Sequence, residues 1–401
     1  MNKNNTLKIV SLSFVPVIMV LGNSMLIPVL ADLKRELHIH QYEANLLISY
    51  FSFPAAILIP FLGFLSDRIG RKKILVPSLI VYGLGGVISG IASIFFASPY
   101  PYILLGRIIQ GLGAAGTSPM AMILISDMFS SEERSEALGI IEASNGIGKV
   151  ISPILGSIIA LFAWYIIFFS YSFLTIPIAL LIWFVIDEDK NMAERKPLKT
   201  YVKEIMMITK YKRRPIFICF FIGWISLFVL YGILANLSEV MDIKESLLKK
   251  GLFVALPLLS MSIISFWLGG YLKNKEHLYS KMMIVGLILC IVGSSFIFYF
   301  PIKLYNMILL QIIGIGVGMI LTVLNTFVTS CVPKGKRGII TACYNSFRFF
   351  GISFGPIYFY QFHQLLIKRV LMVFILLVMV ILFILYVKSH VMMEYFQEKK
   401  Q

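Results

Sequence analysis

Four ionisable side chains stand where apolar sequence surrounds them: Arg107, Glu142, Lys149 and Arg348. In the middle of a lipid-crossing helix, each costs roughly 2.5–3.5 kcal/mol even on the milder insertion scales, so each needs a partner or a purpose. Of the twenty carboxylates, only Glu142 falls well inside an apolar run, with Asp127 at the end of another. A lone buried carboxylate beside cations can take up a proton and release it when a charged solute binds nearby, which would couple proton movement to solute movement. A permanent ion pair with Arg348 or Lys149 would use the same residues without any titration, and both readings stay open at this point.

Spacing narrows the geometry. Glu142, Asn145, Lys149 and Ser152 recur at i, i+3, i+7 and i+10, which puts them on one face of a helix. Glu142 and Lys149 lie about 10.5 Å apart along the axis at 1.5 Å per residue, too far for an easy direct ion pair. Arg107, Gln110 and Ala114 share a face of another helix, where the cost of an intramembrane charge demands either a function or a structural role, such as donating to backbone carbonyls and steadying packing. Three interior cations against one carboxylate favour an anionic or electron-rich solute over a cationic one. Tyr344, Phe347, Phe349 and Phe350 flank Arg348 and could stack on aromatic rings, although most aromatic side chains in such helices face lipid or core.

The elements that must position these groups are long apolar helices. The chain has 401 residues, 58% of them hydrophobic and only 14% charged, far from the mix of a water-soluble domain. Apolar runs near residues 9–31, 45–65, 74–96, 102–126, 138–161, 164–186, 216–236, 251–272, 282–300, 306–330, 339–362 and 370–388 are each long enough to cross a hydrocarbon core of about 30 Å. The predicted fold is all-α and membrane-integral, with twelve spans in two parallel six-helix bundles. Residues 1–186 form the first bundle, 187–215 a polar linker and 216–401 the second. The net charge of +16 is spread along the chain, which argues against nucleic acid as its purpose. If the N-terminus is cytoplasmic, 25 of the 36 Lys and Arg residues fall in inside segments and eight in outside ones, so both termini are predicted to be cytoplasmic. The first run has no small-residue cleavage site after it and reads as a span that is kept.

The two halves repeat. An offset of 203 residues pairs Gly111 with Gly314, Gly113 with Gly316, Arg134 with Arg337, Gly148 with Gly351 and Pro153 with Pro356. It also sets Asn345 opposite Glu142, with Arg348 one turn further on the same face. The expectation is that Glu142 and Arg348 approach each other across a central cavity lined by Arg107, Gln110, Asn145, Lys149, Asn345 and Arg348. Gly111, Gly113, Gly148 and Gly351 are expected to let helices pack closely, and Pro153 and Pro356 to permit bends.

Three motifs carry a family likeness. Gly63-Phe-Leu-Ser-Asp67-Arg68-Ile-Gly70-Arg71-Lys72-Lys73 makes a tight, cationic turn between the second and third spans, and it resembles the loop signature of the major facilitator superfamily. Leu105-Gly-Arg107-Ile-Ile-Gln110-Gly111-Leu-Gly113-Ala-Ala-Gly116 is similar to that superfamily's signature in the fourth span. Gly148-Lys-Val-Ile-Ser152-Pro153-Ile-Leu-Gly156 is similar to the signature of its drug:proton antiporters, although Ser152 replaces the glycine before proline, which the second half keeps as Gly355-Pro356. The wording around Gly22–Pro28 and Ile141–Lys149 looks like Gram-positive siderophore exporters of the bacillibactin type.

The resemblance implies a rocker-switch transporter with its solute cavity between the halves, a coupling role for Arg107, and a lock at Gly63, Asp67, Arg68, Gly70 and Arg71. In that lock Asp67 would face cations and a helix N-terminus of the other half. It further implies a proton-driven exporter in a bacterial plasma membrane, for a catecholate siderophore or else for drugs; an uncoupled facilitator is the third reading. Exporters of lipophilic cations commonly carry acidic residues in the first or seventh span, and this chain has none at 9–31 or 216–235. The expected partners are membrane lipid and a small-molecule solute, with a monomer as the assembly. Neither an enzyme nor a cofactor protein is expected: there is no HExxH, nucleotide loop or CxxC, and Cys219, Cys290, Cys331 and Cys343 suggest free thiols and no metal site.

Overall fold

The structure, a computed structural model, describes residues 3–129, 131–187, 213–240, 246–272, 275–296, 304–330 and 337–361. Among them every regular element is helical. The first apolar run is α1 (Lys3–Ser24), a 3₁₀ turn (Ile27–Val29) and α2 (Leu30–Glu36). Pro28, which has no N–H to donate, starts that turn and interrupts the helix. Then follow α3 (Gln41–Ile69), α4 (Lys72–Phe95), α5 (Tyr100–Ala114), α6 (Ser118–Met128), α7 (Ser131–Ala160) and α8 (Ile166–Val185). The second half supplies α9 (Arg213–Val240), α10 (Leu247–Tyr271), α11 (Tyr279–Phe296), α12 (Leu304–Ser330) and α13 (Arg337–Gln361). The predicted fourth span is therefore two helices, broken before Pro119, while the predicted twelfth span and most of the linker lie outside the described residues.

Nine of the described helical stretches are long and apolar enough to cross a membrane. Neither α7 nor α13 is among them. These two, equivalent under the 203-residue repeat, carry Glu142, Lys149 and Arg348 and pack along α1 and α10, and along α3 and α9, respectively. Their polarity is tolerable because protein, rather than lipid, borders them. At the periphery, Phe162, Phe173, Phe184 and Phe266 are 76–81% exposed, an apolar surface suited to hydrocarbon.

Two apolar cores form, one from each half. Ile27, Leu30, Ala44 and Ile48 of the first half nevertheless belong to the second core, and Phe349 packs onto the first. The halves meet along two antiparallel helix pairs. On α3 and α13, Asn45 Nδ2 donates to the Pro356 carbonyl at 3.0 Å at one end, and Phe64 packs with Ile339 at the other. On α7 and α10, Gly251 abuts the Pro153 carbonyl and Ser262 Oγ donates to the Gly146 carbonyl at 3.3 Å. The repeat exchanges these two pairs, so the internal duplication is visible in packing as well as in sequence.

Close helix contact depends on particular glycines. A Cβ at Gly111 would strike the Phe51 carbonyl, and one at its repeat mate Gly314 the Pro257 carbonyl. Gly113 lies against Tyr82, Gly148 against Val17 and Gly351 against the Trp224 carbonyl. Gly156 meets the Met25 carbonyl and Gly355 the Phe228 carbonyl, and Met25 and Phe228 are themselves 203 residues apart. Gly111→Val is expected to destabilise the first bundle by about 3 kcal/mol, because a backbone carbonyl cannot swing aside as a side chain can. Thermal melting in detergent checks this, with Gly139→Ala as the control: a Cβ there meets nothing within 4 Å, and its melting midpoint should hold or rise.

Candidate functional site

The polar face of α7 and that of α13 look toward each other between the halves. Glu142 is exposed, and its Oε1 accepts a hydrogen bond from Asn145 Nδ2 at 3.3 Å. Across from it, Arg348 Nη1 donates to Asn345 Oδ1 at 3.3 Å, and the guanidinium carbon lies 5.5 Å from the centre of the Tyr344 ring. Lys149, half-buried, is within electrostatic reach of both Glu142 and Arg348. Among the described residues it makes no hydrogen bond, and Arg348 Nε is buried without a partner.

The expected Glu142–Arg348 contact is therefore replaced by something else. Each charged group bonds an asparagine one turn away on its own helix, and no ion pair joins the two among the described residues. The reason is the packing: α7 is held by α1 and α10, and α13 by α3 and α9. Each half thus holds one cation with an unused donor, Lys149 and Arg348. Tyr344 and Phe347 are occupied with Phe220, and Phe350 with Phe53 and Phe354, so these aromatics serve helix packing.

Arg107 and Gln110 are corrected more sharply. Both are 0% exposed, inside the first bundle. Arg107 Nε donates to the Leu47 carbonyl at 2.8 Å, Nη1 to Gln110 Oε1 at 2.8 Å and Nη2 to Asn23 Oδ1 at 3.1 Å, and its guanidinium stacks 4.6 Å from the Phe51 ring centre. A five-donor fork with neutral acceptors all round needs no solute. The helical face that carries Arg107 was legible in the sequence; its neighbours were not.

The polar contacts of the Gly63–Lys73 segment stay within the first half, while Phe64 packs with Ile339 of the second. Arg71 pairs with Asp67, lies 3.4 Å from Asp127 and donates to Ser66 Oγ at 2.9 Å. Ser66 Oγ donates to the Gly63 carbonyl at 2.7 Å, and Arg68 lies 5.6 Å from the Phe64 ring centre. Gly70 takes φ 109°, a conformation that favours glycine. Asp67 thus engages Arg71 and, among the described residues, no cation of the other half. On the opposite face the halves are sewn together: Ser49 Oγ donates to the Ser353 carbonyl at 2.6 Å and Ser353 Oγ to the Ser49 carbonyl at 3.2 Å, beside the Asn45–Pro356 bond. A Cβ at Gly139, Gly270 or Gly338, near the loop-side ends of α7, α10 and α13, meets nothing within 4 Å.

Sequence reasoning missed Asn23, Asn45, Ser49 and Ser353, because single polar residues in apolar runs carry no spacing signal. It also missed Asp32 and Lys250, which stand at the ends of spans and read as loop charges.

Comparison with known proteins follows from this arrangement. Residues 12–356 match the family model of the Major Facilitator Superfamily. The chain is 35% identical over 352 residues to the "Bacillibactin exporter" of Bacillus subtilis (strain 168), covering 87% of this chain and 88% of that protein. It is 27% identical over 366 residues to "Multidrug resistance protein 2" of the same organism, covering 88% of each. Among solved structures, a bacterial homologue of the human lysosomal transporter Spinster, in an inward-facing and occupied conformation, superposes with a TM-score of 0.73 at 17% identity over 97% of this chain and 98% of that one.

Proposed function

The chain belongs to the Major Facilitator Superfamily, and from that premise we propose that it is a proton-coupled exporter of an anionic small molecule, first of all a catecholate siderophore. It is a multi-pass membrane protein of a transporter family. The observation that carries the finer reading is the pair Lys149 and Arg348, one from each half, within electrostatic reach of each other and with unused donors. Two like charges held near each other in a partly dry site repel unless an anion lies between them. An ionised catechol or carboxylate supplies that charge together with oxygens that accept from an ammonium and a guanidinium. The relative named a bacillibactin exporter supports the same solute class.

Glu142 is the proton carrier in this reading. It is exposed and lies within electrostatic reach of Lys149. With a proton on Glu142, the site is more cationic and holds an anion; when the proton leaves, the carboxylate competes for Lys149 and the anion is released. In this reading the loop-bearing face is the cytoplasmic one, and a single chain in the bacterial plasma membrane suffices.

Glu142→Gln is expected to leave binding of 2,3-dihydroxybenzoate intact while export loses its dependence on the proton gradient. Efflux from energised and uncoupled vesicles checks this, and full proton-driven export by the variant would refute the role. For the function itself, extracellular catecholate in iron-starved cells with and without the protein decides. Unchanged secretion with lowered resistance to cationic dyes would instead favour drug efflux, the activity named for the second relative.

A further inference from the structure

The face opposite the Gly63–Lys73 loop is closed by an ion pair between the halves that lies away from the solute gap. Asp32 Oδ2 on α2 and Lys250 Nζ on α10 are 3.4 Å apart, with the lysine side chain 2% and the aspartate 16% exposed. Around them Ile27, Leu30 and Leu33 are fully buried, the 3₁₀ turn packs on α9 and α10, and α2 packs on α9. A lysine so buried persists only with its counter-charge in place. Asp32 also pairs with Arg35 one turn along α2, which orients the carboxylate and keeps it compensated when Lys250 departs.

The repeat shows that this contact is an addition and no consequence of symmetry. The 203-residue offset carries Asp32 to Ala235 and Lys250 to Leu47, which are 1% and 0% exposed. The corresponding positions on the other side of the molecule are therefore apolar, and that side is joined by the Asn45–Pro356 and Ser49–Ser353 hydrogen bonds. One flank of the seal is apolar and hydrogen-bonded, the other ionic. An ion pair whose members regain water on parting has two distinct states, paired and dry or separate and wet. No other described carboxylate competes for Lys250. Glu43, at the start of α3, accepts from the His40 N–H at 2.8 Å, and Tyr231 of α9 faces Ser24.

We propose that Asp32 and Lys250 form the latch of this face, and that the cavity opens there by their separation. The proposal rests on the alternating-access reading above. Its test needs a reporter that disturbs nothing, and Ser157 serves: it is fully buried, lies against Gly251 at the same end of α7, and its hydroxyl has no hydrogen-bond partner.

In full-length protein with the four native cysteines changed to alanine, a Ser157→Cys reporter in membrane vesicles is reacted with a membrane-impermeant maleimide. Asp32→Asn is expected to raise the labelling rate about tenfold and Lys250→Gln about threefold, since the second leaves no bare cation behind. Together they should do no more than the larger alone, because both remove one contact. A rate unmoved by Lys250→Gln, which keeps the test open if Asp32→Asn fails to fold, or effects that multiply, would overturn the latch. Catecholate export is measured in the same variants' parent. Raised labelling without any catecholate export by the parent would sink the siderophore reading and leave the latch standing; export with unmoved labelling would do the reverse.

Discussion

Lys149→Met is expected to abolish catecholate export while the protein stays folded. Lys149 makes no hydrogen bond among the described residues, and its nearest charged company is one carboxylate and one cation. Methionine keeps the length of the stem and removes the ammonium, so no acceptor is stranded and no cavity is left. The solute loses a charged contact in a partly dry gap, a loss of about 3 kcal/mol, or roughly a hundredfold in affinity. Calorimetric titration with 2,3-dihydroxybenzoate and thermal melting, run side by side, check the pair of outcomes. Weaker binding with an unchanged or higher melting midpoint marks a solute ligand. A lower midpoint with unchanged binding would mark Lys149 as a structural charge and refute its role in the site.

Arg107→Leu is expected to show the opposite signature, a collapse of stability. The substitution leaves the Leu47 carbonyl, Gln110 Oε1 and Asn23 Oδ1 without their donor in a region that water does not reach. Stranded buried acceptors cost about 1–3 kcal/mol each, so the first bundle should lose about 4 kcal/mol in all. Arg107→Lys should recover only part of this, because a single ammonium cannot span three acceptors held by three helices. Melting midpoints of the two variants in detergent decide. An Arg107→Lys protein with native stability but no proton-driven export would return the arginine to the coupling role that the family resemblance implies.

The contrast between these two residues shows how far the sequence reached. Arg107 and Lys149 look alike in one dimension: each is a cation inside an apolar run with polar companions at helical spacing. What separates them is the set of groups within 4 Å, and those come from other helices. Asn23 lies 84 positions from Arg107, and Leu47 lies 60 positions away. Glu142 and Arg348 show the same limit, since the repeat set them on matching faces but could not say whether the two helices touch. Asp32 and Lys250, 218 positions apart, gave no sign at all, because a charge at the end of a span looks the same whether it meets water or a partner.

Apolar periodicity, the 203-residue repeat and the Gly63–Lys73 motif by themselves determined the helical membrane fold, the duplication and the family. These are properties of contiguous residues: a run of about twenty apolar side chains must sit in hydrocarbon, and a tight cationic turn must stay out of it. The tertiary structure alone decided which interior charges are spent on packing and which keep unused donors, where the halves are sewn together, and that one flank of the seal is ionic. Those outcomes depend on distances between helices remote in sequence, and electrostatic and hydrogen-bond energies change within a few ångström, so no pattern along a single chain contains them.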